Sequence, residues 1–141
     1  MTNNSKSLIL DANIIFSFFK KDSMRRQLIK KLLRDNYKLL SPDFVLEEIL
    51  NNKEKIKKFS QISEPEFAFL FYLLNKEIIT LPKSSYSKFL TEAESFAPHT
   101  KDNSYFALAL YLGCPIWSDE KNFKQQRKIK IFTTKEISFL T

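Results

Sequence analysis

At 141 residues, with 43% hydrophobic and 28% charged side chains, the chain has the balance of a single globular domain over residues 1–141 and excludes disorder along its length. Its 23 Lys and Arg outnumber 16 Asp and Glu for a formal charge of +7, which favours a polyanionic partner without naming one. A single cysteine, Cys114, excludes an internal disulfide framework and a cysteine-based zinc site and fits a reducing cytosol. The polar opening TNNSKS and the apolar stretch interrupted at Asp11 leave no secretion leader, and the run FAFLFYLL at 67–74 falls well short of the roughly 20 residues of a membrane span. A cytoplasmic protein with no membrane partner is expected.

Residues 7–10 (SLIL) read as a buried strand that ends in Asp11, where an unpaired charge is costly to bury. Residues 13–19 (NIIFSFF) and 23–34 (SMRRQLIKKLLR) read as helices, the second with Leu28, Leu32 and Leu33 on one stripe and basic residues opposite. YKLLS at 37–41 is a short strand, and Ser41-Pro42 reads as a helix start, serine capping and proline in the first turn, that launches DFVLEEILNN. Helices at 64–75 and 85–97 flank a strand-like IITL at 78–81, a helical insert in the middle of the chain. Asp102 opens a helix at 103–112 that stops at Gly113, the sole glycine, before Pro115; PIWS and KIKIFT at 128–133 are strands, and TKEISFL is a terminal helical turn. Strands separated by helices imply a three-layer α/β/α sandwich around a mainly parallel sheet. In such folds ligands bind beyond the carboxyl ends of the strands, which is where Asp11 and the pair Asp119-Glu120 fall. The phenylalanines are expected to be mostly core, although an aromatic face on 67–74 beyond core needs would mark an interface.

Four carboxylates, Asp11, Glu48, Asp102 and Glu120, with Asp119 beside the last, lie near the ends of otherwise apolar segments. With one histidine and one cysteine, the inventory can build an oxygen-only centre for magnesium or manganese but not a zinc site. Such a centre activates water and offsets charge on a leaving phosphate oxygen, so phosphodiester hydrolysis is its natural chemistry. One glycine cannot make the glycine-rich loops of kinases or nucleotide triphosphatases. His99 reads as a surface residue and Cys114 as a small buried apolar group. A basic chain that gathers acids at one place suits an enzyme acting on a phosphate backbone, and Lys20, Lys21, Arg25, Arg26, Lys101, Lys121, Lys124 and Arg127 are candidates to track that backbone.

LILDAN, SPDFVLEEI and KDNSYFALALYLGCPIWSDEKNF together resemble the PIN domain family, and the likeness spans nearly the whole chain. The resemblance implies a metal-dependent nuclease, most often a ribonuclease and often the toxin half of a toxin–antitoxin pair of the VapC kind. Its acids carry over to Asp11, Glu48 rather than Glu47, Asp102 and Glu120, with Asn13 and Ser118 as supporting residues. The last acid of the family is commonly Asp, so Asp119, one place early, stands as an alternative to Glu120. The implied partners are an RNA substrate, an antitoxin protein and a second copy of the chain. The alternatives are a catalytically silent module that binds RNA or protein, and a structure-specific DNA nuclease.

Overall fold

In the computed structural model, which describes residues 6–141, five short strands run parallel: β1 (Lys6–Leu10), β2 (Tyr37–Pro42), β3 (Ile79–Leu81), β4 (Ile116–Trp117) and β5 (Ile131–Phe132). Their order is β3-β2-β1-β4-β5. The chain therefore steps outward from β1 in one direction, then returns to build on its other edge, and the strand order reverses between β1 and β4. That reversal leaves a crevice beyond the carboxyl ends of these two strands.

Alternation along the strands divides the core in two. Leu8, Leu10, Leu39 and Trp117 face a cluster with α1 (Ala12–Phe16), α2 (Met24–Arg34), α3 (Phe44–Asn51), α4 (Lys53–Ser60), α5 (Glu64–Glu77) and α9 (Thr134–Leu140). Ile9, Leu40, Ile116 and Ile131 face the second cluster, built from α6 (Lys83–Tyr86), α7 (Leu90–Glu94) and α8 (Asn103–Leu112). The architecture is the expected α/β/α sandwich. Among the described residues no helix is long and apolar enough to cross a membrane. Most of the polar opening stretch, on which the expectation of no leader rests, lies outside the described residues.

Several elements differ from the sequence expectation, each for a local reason. Ser41 and Pro42 do not start a helix: both stay in β2, paired with Thr80 and Leu81 of β3. The buried Ser41 hydroxyl donates to the Leu10 carbonyl at 3.3 Å, and α3 begins at Phe44. Residues 13–19 split into α1 and a 3-10 turn at Ser17–Phe19. Residues 85–97 break into α6, a 3-10 turn at Ser87–Phe89 and α7. Helix α4 was not expected at all; its lysine-rich face obscures the one buried residue, Ile56. Of KIKIFT only Ile131–Phe132 pairs, because the Gln126 side chain instead accepts from the backbone N–H groups of Lys128 and Ile129. Cys114 is half-buried rather than buried, and burial pushes its thiol up to about 11.

Helix α8 ends as expected. Gly113 adopts φ +65°, its N–H donates to the Ala109 carbonyl at 2.8 Å, and nothing lies within 4 Å of where a Cβ would stand. Gly113→Ala should therefore cost only the left-handed backbone penalty, about 1 kcal/mol, read as a shift of the urea midpoint with an unchanged slope.

Candidate functional site

The crevice between β1 and β4 holds a cavity of about 440 Å³. Asp11, Glu48, Asp102 and Glu120 all line it, each delivered by a different element.

Asp11 follows β1 directly and caps α1: the Ile14 N–H donates to its Oδ1 at 3.0 Å. Its own N–H donates to the Trp117 carbonyl at 3.2 Å, which fixes it against β4. At 5% exposure, burial raises its pKa from 3.8 to about 6; the Ser118 hydroxyl and the Ile14 N–H favour the anion, while the charge of Glu120 opposes it. The helix begins one residue earlier than expected, which supplies the local donor that a strand-terminal acid would otherwise lack.

Asp102 ends the 3-10 turn Thr100–Asp102 and stands at the N-cap position of α8, yet its side chain makes no capping hydrogen bond. Burial pushes its pKa up, Lys101 and His99 pull it down, and Glu120 adds to the rise. Glu48 lies half-buried on the cavity side of α3 while Glu47 is exposed. Burial raises the Glu48 pKa against the opposing charge of Lys101. Glu120 is the exposed member: Asn13 Nδ2 donates to its Oε1 at 3.0 Å, and its backbone N–H donates to the Ser118 hydroxyl at 3.1 Å. Asn13 and the buried Ser118 thus join Glu120 to Asp11.

Asp119 does not line the cavity. Arg25 donates to its Oδ2 from Nε at 3.0 Å and Nη2 at 2.6 Å, the Thr134 N–H donates to Oδ1 at 2.7 Å, and the Thr134 hydroxyl also bonds Oδ2. Burial works against its ionisation, but Thr134 and Arg25 outweigh it and its pKa is lowered. Asp119 therefore ties α2 and the start of α9 to the end of β4. Asp119→Asn should destabilise the fold by about 1–3 kcal/mol, the worth of charge-assisted bonds at a partly buried site; equilibrium unfolding in urea checks it.

Of the basic candidates, only Lys101 lines the cavity. Arg25 is committed to Asp119, Lys124 donates to Glu136 at 2.6 Å, Lys20 sits 4.6 Å over the Phe59 ring, and Arg26 sits 5.4 Å over Phe18. Lys21, Lys121 and Arg127 are exposed outside the cavity wall. His99 is exposed as expected and also lines the cavity, its Nδ1 accepting from the Lys101 N–H at 3.2 Å.

The sequence did not single out Ala12, Phe16, Phe44, Tyr105, Asn122 or Phe123, which complete the wall. A signal was available: Phe16 follows Asn13 by three residues on α1, and Phe44 precedes Glu48 by four on α3, spacings that place each pair on one helix face. The Tyr105 hydroxyl is buried near the Ser41 hydroxyl and the Ala12 backbone without a hydrogen bond of normal geometry. Among the described residues no three His, Cys, Asp or Glu side chains are gathered tightly enough to hold a metal ion. The acids share a cavity but are not closed onto a point, as expected of like charges: that of Glu120 raises the pKa of both Asp11 and Asp102.

The PIN domain family model matches residues 9–140. No curated protein matches the sequence. Among solved structures, a chain in the crystal structure of VapBC2 from Rickettsia felis bound to a DNA fragment from their promoter is similar, with a TM-score of 0.63 and 15% identity, over 90% of this chain and 98% of that one. At that identity the likeness is one of fold. A family match running from the end of β1 to the end of α9, with four carboxylates gathered at the strand-order reversal it encloses, places the chain in the PIN domain family.

Proposed function

We propose that the chain is an endoribonuclease that hydrolyses RNA phosphodiesters with magnesium or manganese. The observation that carries this is the meeting of Asp11, Glu48, Asp102 and Glu120 in one cavity of a chain whose net charge is +7. PIN domains are generally nucleases that use divalent metal ions. The donor set fits such an ion, since carboxylate oxygens suit a hard cation and the buried Asp11 charge has only part of its compensation from hydrogen bonds. Asp11, Asp102 and Glu120 would hold it, with Glu48 joining through water; Asp119, committed to Arg25 and Thr134, is the weaker candidate. When bound, the ion would lower the pKa of the attacking water and offset charge on the phosphate.

The chain's own side chains do the rest. Glu48, whose burial disfavours the anion, suits a group that accepts a proton from water and returns it to the leaving oxygen. Asn13 holds Glu120, and Ser118 orients Asp11. Lys101 at the acids meets the substrate phosphate. The fold likeness to a chain of VapBC2 supports a toxin role with an antitoxin partner; action in the cytoplasm and pairing with a second copy are part of the same proposal.

A silent RNA- or protein-binding module is the second reading, favoured by the carboxylates not being drawn together. Labelled mixed-sequence RNA and a flap or hairpin DNA, each incubated with manganese, magnesium or EDTA, separate the cases. Metal-dependent cutting of the RNA supports the proposal. Cutting confined to the DNA makes the chain a structure-specific DNA nuclease, and a gel shift of RNA without cutting by either metal gives the silent module.

A further inference from the structure

We infer that the same cavity contains a nucleobase subsite, in which the rings of Phe16 and Phe44 hold one unstacked base beside the carboxylates. The inference rests on the nuclease reading, whose substrate it specifies. Both rings line the cavity and both are half-buried, so each keeps surface that the core does not use. Their helices, α1 and α3, share one layer, but their side chains pack against different core clusters: Phe16 against the one on the α1 side of the sheet and Phe44 against the one on the α8 side. The crevice is thus lined by one aromatic side chain anchored on each of the two core clusters.

Position relative to the acids strengthens the case. Phe44 and Glu48 are four residues apart on α3, so the ring and the carboxylate stand roughly 5–6 Å apart at their Cβ atoms, on one helix face. A phosphate at the acids would carry its base toward the rings. A site for a cation and a phosphate alone has no use for apolar walls, whereas a base has a π-face that aromatic rings accept whatever its identity. At about 440 Å³ the cavity falls in the range of small-molecule pockets, roughly 300–1,000 Å³. A base held there must be out of a duplex, which selects single-stranded segments and loops.

Calorimetric titration in magnesium buffer with AMP and with ribose 5-phosphate, which lacks the base, tests this directly. The wild type should bind AMP roughly 5- to 150-fold more tightly than ribose 5-phosphate, the fold-change that one stacked base supplies. Phe16→Leu and Phe44→Leu should each shrink that ratio while keeping the affinity for ribose 5-phosphate, and Phe16→Tyr should restore it. Melting midpoints report whether each variant is folded; should Phe44→Leu not fold, the Phe16 pair decides alone. Equal or unmeasurable binding of the two probes by the wild type overturns the inference, as does a ratio unchanged in the folded leucine variants. RNA cleavage with no preference for AMP removes the subsite and leaves the nuclease; a preference for AMP without cleavage does the reverse.

Discussion

Asp102→Asn should lower RNA cleavage by roughly 10²- to 10⁴-fold, the range seen when a group acting in the transition state is lost, while leaving the protein folded. The two halves of that expectation have separate origins. The Asp102 side chain makes no capping bond to α8, so the amide removes no stabilising contact, and burial together with the Glu120 charge already disfavours its anion. Stability should stay level or rise slightly. Activity should collapse because an amide cannot replace the charge that, on the proposed function, would help hold a divalent ion in an oxygen-only site. Initial rates in manganese beside thermal midpoints make the comparison. A variant that cleaves at more than a tenth of the wild-type rate would remove Asp102 from the machinery, and one that melts far below wild type would mark it as structural.

Asp11→Asn should give the largest change in stability, with a sign that depends on pH and metal. In the fold the Asp11 pKa rises from 3.8 to about 6, so between these values the folded chain keeps a proton that the unfolded chain has released. Its contribution is therefore most favourable below about pH 4 and declines as pH rises through 6. The full decline is about 3 kcal/mol, at about 1.4 kcal/mol for each tenfold change in acidity. Asparagine keeps an oxygen for the Ile14 N–H and the Ser118 hydroxyl but cannot ionise. At pH 8 without divalent metal the variant should exceed wild type by roughly 2–3 kcal/mol, with the advantage gone near pH 4. Millimolar manganese should reverse the order, because an ion that binds only folded wild type stabilises it by mass action. Urea titrations at the two pH values, with and without manganese, read all of this. A difference independent of pH would return Asp11 to its ordinary pKa.

The layered parallel fold was legible because its signals are local: β-rich runs ending at acids, a helix from 103–112 closed by glycine, and alternation of element type. Ser41-Pro42 misled because a serine before a proline has the same appearance at a helix start as at a strand end, and pairing with β3, close to 40 positions later, decides between them. The choice between Asp119 and Glu120 is non-local in the same way. Two adjacent acids after a two-residue strand point to different sides, and what distinguishes them is an arginine 94 positions earlier that claims the first. Asp11, Glu48 and Asp102 could be picked out by type and position, whereas the aromatic wall around them was passed over: a half-buried phenylalanine reads from sequence as core, and only its helical spacing from Asn13 or Glu48 points to the crevice. The basic residues offered no comparable signal, because sequence does not show that Lys20 lies over the Phe59 ring, that Lys124 pairs with Glu136 or that Arg25 pairs with Asp119.

The strand order also fixes when during synthesis the crevice can exist. β1 is made first, yet one of its two neighbours, β4, is made after residue 115, and the residues that line the crevice are spread from Asp11 to Phe123. A nascent chain can close the β1-β2-β3 half as it leaves the ribosome, but one edge of β1 stays open and neither Asp102 nor Glu120 is yet in place. For the ribonuclease proposed above, whose birthplace is made of its substrate, this topology would delay assembly of the carboxylate cavity until most of the polypeptide has emerged.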